Sequence, residues 1–169
     1  MFMTPEAAVA QLAASLFAHE IDASILASLQ QPETAGVLRA IEPSSGDLLE
    51  REWMAEDFEK AALEFRRLFI REAAVPVRAE VYEKKDEPEV AGRIQFMLDS
   101  GFLELPVTYR TLAPDHLALL LLVYSSLEGE DAKQFKVDNL SWLPKFSERL
   151  KKEAGHPFYR LAARILQVV

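Results

Sequence analysis

Residues 112–127, LAPDHLALLLLVYSSL, contain the feature that most limits what this chain can fold into: a run from Leu117 to Tyr124 with hardly a polar atom in it. A helix that is apolar on every side has no face to give to water and must be enclosed by other elements. The run is far shorter than the roughly 18 to 20 residues that a bilayer span requires, so it reads as a buried core helix. The rest of the chain has to supply the cover.

That cover is helical. Near the N-terminus Thr4 is placed to cap and Pro5 to open a helix, with Val9, Leu12, Ala13, Leu16 and Phe17 on one face. A short apolar segment, IDASILASLQ, follows. QPETAGVLRAIEPSSGD is punctuated by Pro32, Gly36, Pro43 and Gly46 and reads as loop with a helical turn or two. From Met54 to Arg71 the stripe Phe58, Ala61, Ala62, Phe65, Leu68 and Phe69 has acids early and arginines late, the order that the helix dipole favours. In DEPEVAGRIQFMLDSG, Asp86 and Glu89 are spaced like a capping box, and Gly101 is placed to end the helix. NLSWLPKFSERLKKEAG and HPFYRLAARILQVV complete the set, with Pro144 and Pro157 in first turns. VPVRAEVYE and FLELPVTYR alternate like strands, but Pro76 and Pro106 inside them make extended connectors the better reading. The expected fold is all-α.

Composition excludes several kinds of chemistry. With no cysteine, disulfides, thiolate metal sites and cysteine nucleophiles are absent, as suits a reducing compartment. A net charge of −8 does not suit phosphate-rich partners, so no nucleic-acid role is expected. The glycines are scattered, without a phosphate loop, and His19, His116 and His156 lie in separate segments without metal-ligand spacing. Asp115 and His116 are adjacent, so on a helix they diverge by about 100 degrees, and no Gly-x-Ser-x-Gly elbow supplies a nucleophile. Neither an enzyme nor a metal or organic cofactor is expected. The first residues lack a basic region and read as a mature helix, which points to the cytoplasm, and FRRLFIR at 65–71 reads as a core helix and not an export motif. By spacing alone, Asp115 serves as an N-cap and His116 as a surface histidine, or both line a groove.

LAPDHLALLLLVYSSL, preceded by LEFRRLF and IQFMLDSGF and followed by WLPKFSERL and HPFYRLAARIL, resembles the TorD/DmsD family of cytoplasmic chaperones for molybdenum-containing redox enzymes. The similarity runs in order from about Leu63 to the C-terminus, and Pro114, Asp115, His116 and Leu117 are its most specific part. The resemblance implies a single helical domain over 1–169 with lobes 1–111 and 117–169, joined by a hinge at 112–116. It implies a peptide-binding groove at Pro114, Asp115, His116 and Leu117, with Tyr82 and Trp142 beside them, and no catalysis. The implied partner is the precursor of a molybdopterin-dependent oxidoreductase, held by its twin-arginine signal peptide during cofactor insertion. The chaperone itself would be a monomer or a domain-swapped dimer without stable membrane insertion.

The chain departs from the family pattern in two places. Val77 and Ala79 stand where an aromatic and a serine are usual, with Tyr82 one residue late, and Leu120 replaces the acid usual within the apolar helix. A non-catalytic helical adaptor for a different folded partner is the other reading. Carboxylates at Asp86, Glu87, Glu89, Asp99 and Asp115 are candidates to meet a basic peptide head.

Overall fold

In a computed structural model of the chain, residues 3–84, 86 and 89–169 are described. Among them the protein is all-helical, with α1 (Pro5–Ala18), α2 (Ala23–Leu29), α3 (Pro32–Ile41), α4 (Ser45–Leu49), α5 (Ala55–Phe69), α6 (Val90–Asp99), α7 (Leu117–Ser125), α8 (Gly129–Asn139), α9 (Leu143–Glu153) and α10 (Pro157–Leu166). The two alternating stretches are connectors, as their prolines require. Each carries a short 3-10 turn, at Ala79–Val81 and Val107–Tyr109. Their one ladder feature among the described residues is an isolated antiparallel bridge between Arg78 and His116.

The chain divides into two compact units, the first made of Met1–His19, Val77–Phe146 and Val169, the second of Glu20–Pro76 and Ser147–Val168. In the first unit α7 is the centre: Leu117 through Leu121 are buried, as are Val123 and Tyr124. α1 packs along it. The face of α1 that is buried is formed by Ala7, Ala10, Ala13 and Ala14, finished by Leu16 and Phe17. Val9 and Leu12, expected on that face, are only half-buried, because small side chains let two helix backbones approach where branched ones would hold them apart. Thr4 caps α1 as its position suggests, its hydroxyl accepting from the Ala7 amide at 3.1 Å.

The second unit is built on aromatic rings from α5 and α10. Phe65 meets Phe69 edge-on at 5.1 Å, Phe69 meets Tyr159 at 5.6 Å, and Phe158 meets Trp53 at 6.0 Å. The Glu64 carboxylate accepts from the amides of Gly155 and His156 at 2.6 and 3.2 Å and pairs with Arg67 at 2.8 Å. The Arg67 partner and these amides, against some desolvation, hold the carboxyl down at about 2.

The segment 112–116 lies inside the first unit, which takes in α1 as well, because an apolar α7 needs cover from a sequence-distant helix. Two expectations need correction. The punctuated stretch from Gln31 to Asp47 forms α3 and α4. Pro32 occupies the first turn of α3, where its missing N–H costs no bond, and Gly36 has nothing nearby that a side chain would meet. The Asp86–Glu89 capping box does not form: Glu89 makes no side-chain cap, and the Val90 amide donates to Glu83 at 3.0 Å. α8 was not visible in the periodicity at all, since only Phe135 and Asn139 of it are buried.

The close approach of α1 and α7 sets a test. Ala13→Leu adds atoms where none fit and should cost about 1 to 3 kcal/mol in urea unfolding, whereas Ala8→Leu, on the exposed face of α1, should change stability by less than about 0.5 kcal/mol.

Candidate functional site

Asp115 and His116 sit at the mouth of α7, and the structure gives them separate tasks. The Asp115 side chain is 0 % exposed. Its Oδ1 accepts from the Arg78 Nε at 2.8 Å and its Oδ2 from the Glu80 amide at 2.9 Å. The backbone joins in, with the Ala79 amide donating to the Asp115 carbonyl at 3.1 Å and the Leu117 amide to the Val77 carbonyl at 2.8 Å. Arg78 in turn reaches the Glu80 carboxylate at 2.8 Å. These bonds clasp the connector after Pro76 onto the start of the apolar helix.

Capping falls to His116. Its Nδ1 accepts from the Ala118 amide at 3.1 Å, so the ring is neutral with its proton on Nε2. Burial pushes its pKa down to about 4, with Arg78 adding to that and Asp115 opposing it. This differs from the expectation that Asp115 caps the helix and His116 is a surface histidine. An Asp has reach enough to cap, but here its carboxylate is fully used on the connector.

The other expected site residues join the same set. Tyr82 follows the 3-10 turn whose amides Asp115 engages, and it stacks on Trp142 at 5.0 Å with an interplanar angle of 17°. Trp142 meets Phe146 edge-on at 5.8 Å and donates from Nε1 to the Asn139 carbonyl at 2.9 Å. Leu117 and Trp142 are buried, while Pro114, His116 and Tyr82 are half-buried. The surface offered by the set is therefore Pro114, the edge of His116, Tyr82 and the exposed side of Arg78 and Glu80.

Of the carboxylates expected to meet a basic peptide, Asp115 is spent on Arg78, Glu89 pairs with Arg93 at 2.9 Å and Asp99 accepts from Gln95 at 2.7 Å. Asp86 is exposed, and Glu87 lies outside the described residues. Among the described residues no three His, Asp or Glu side chains gather as a metal site, and no helix is long and apolar enough to cross a membrane. What sequence reasoning missed is Arg78, the partner of Asp115: a lone arginine in a connector carries no periodic signal. It also missed a groove in the same unit, between α6 and α8, lined by Phe96, Met97, Leu127 and Phe135.

Three variants test the clasp. Arg78 is 41 % exposed and Asp115 is 0 % exposed, so the two partners are not equivalent. Arg78→Ala leaves a buried carboxylate with one amide and should cost about 3 kcal/mol, more than the roughly 1 kcal/mol expected for Asp115→Asn, which still accepts from Glu80. Urea unfolding of both variants and of Arg78→Met/Asp115→Asn checks the order, with the double variant more stable than Arg78→Ala.

The cap has its own pH window. Because the folded pKa of His116 lies near 4, below the ordinary 6.5, the unfolded chain takes up the proton first. Its contribution is complete above pH 6.5 and is lost as pH falls towards 4. At neutral pH His116→Ala should cost about 0.5 to 2 kcal/mol. His116→Asn, a good cap that does not titrate, should stay near wild type there and unfold less readily on acidification, measured by denaturant midpoints across that window.

No model of a known protein family matches this chain, and a search of curated proteins finds no match to it.

Proposed function

We propose that this protein is a non-catalytic chaperone of the TorD/DmsD kind, with that family's two-lobed helical fold. It binds the twin-arginine signal peptide of a molybdopterin-dependent oxidoreductase precursor in the cytoplasm and holds the precursor until cofactor insertion is complete. What supports this reading is one observation: residues 114–117 and 142, which belong to the stretches on which the resemblance rests, are linked in a single unit through residues 77–82, where the chain departs from the family pattern, by the Asp115 clasp and the Tyr82–Trp142 stack. The net charge of −8 suits a basic peptide head.

The physical division of labour follows from magnitudes. An exposed ion pair contributes about 0 to 1 kcal/mol and is screened over about 8 to 10 Å at physiological salt. A buried leucine contributes about 1.5 to 3 kcal/mol, and salt does not weaken it. Arginines of the peptide then steer and orient, while its apolar stretch supplies most of the affinity.

Titration calorimetry with three synthetic peptides at low and high sodium chloride tests this: an arginine pair followed by an apolar stretch, the same peptide with glutamines for arginines, and the arginine head alone. The first should bind best, the second more weakly but measurably, and the third worst, with salt weakening the first only modestly. Binding by the head alone that matches the full peptide would overturn the mechanism, and no binding by any of them would overturn the function.

A further inference from the structure

We infer that the apolar stretch of such a peptide lies in the groove between α6 and α8, a site that rests on the peptide-binding reading above but not on the Asp115 clasp. The groove has a volume of about 610 Å³, within the range of about 300 to 1,000 Å³ that binding pockets occupy. Its most unusual feature is Phe96, a large aromatic side chain that is 77 % exposed on α6. Beside it are Met97 and Leu127, both half-buried, with Phe135 as floor. A flexible methionine next to an exposed aromatic ring is a surface that adapts to varied apolar side chains.

Charge selects the occupant. Asp131 and Asp138 stand on the groove wall. The one arginine there, Arg93, is already used: it donates to the Asn139 side chain at 3.0 Å and to the Asp138 carbonyl at 2.7 Å, and it pairs with Glu89. An apolar trough with acidic walls and a neutralised cation fits an apolar segment with a Lys or Arg head. It repels anionic lipid and nucleic acid.

The groove is also joined to the clasp. Asn139, which lines it, accepts from the Trp142 indole through its carbonyl, and Trp142 stacks under Tyr82. Tyr82 ends the turn that Asp115 fastens. The clasp thus reaches the end of α8, to which Arg93 ties α6, while the peptide touches Phe96 and its neighbours.

The experiment titrates the full chain with a fluorescent peptide carrying an arginine pair and a leucine–alanine stretch, read by anisotropy. Phe96→Ser should weaken binding about tenfold or more. Val137→Ser, also an exposed apolar position (67 %) on α8 but not part of the groove lining, should leave it unchanged. Asp131→Asn should weaken binding a few-fold at low salt and hardly at all at high salt. A photo-reactive group in the leucine stretch should label residues of α6 or α8, which keeps the site testable even if a variant unfolds. Wild-type binding that Phe96→Ser does not alter, or labelling confined to other elements, overturns the groove and leaves the chaperone reading standing. Absence of binding by the wild type overturns both. Self-association of the chain that Phe96→Ser abolishes assigns the face to a second copy and overturns the groove as a peptide site.

Discussion

A carboxylate with no access to water governs the first unit. Placing Asp115 at 0 % exposure is tolerable only if both oxygens are bonded, and both are, to a guanidinium and an amide that come from the connector after Pro76. Among its described residues the connector has one 3-10 turn and one bridge. That carboxylate and the backbone bonds beside it hold its start. Tyr82 then arrives over Trp142, and Trp142 reaches Asn139, so the order of several elements follows from a single satisfied charge.

The second unit uses the same device with different residues. Glu64 pairs with Arg67 and accepts from the Gly155 and His156 amides, and His156 caps α10 through Nδ1 at 3.1 Å, as His116 caps α7. In both units a carboxylate fastens the chain just ahead of a core helix and a neutral histidine caps that helix. Burial lowers the pKa of both histidines. The acid response of this protein is thus distributed over both units, at the starts of the two helices that each core is built around.

How much of this could be read from the chain alone depends on the residue. The all-helical class was legible because α5 and α10 repeat their apolar positions at helical spacing, and the prolines at 76 and 106 disqualified the strand-like stretches. α8 was illegible since Phe135 and Asn139 are its only buried positions, too few to make a stripe. α3 was hidden by Pro32 and Gly36, which signal a loop locally but are harmless in a first turn and on an open face. At the site, Asp115 and His116 were visible as a polar pair before an apolar run. Their division of tasks was not, because which side chain caps depends on where Arg78 stands, and that is a long-range fact.

The interleaving of the two units bears on how the molecule comes to be folded. The helix that α1 packs against is α7, and all of residues 20–116 are synthesised between the two. Until then its alanine face is bare, and closing so long a loop is entropically costly before any contact rewards it. The second unit waits too, because α4 and α5 lack α10 until residues 70–156 have been made. Each core is closed by a helix that follows its first partner by many residues, so the making of α7 and α10 sets when each unit can fold.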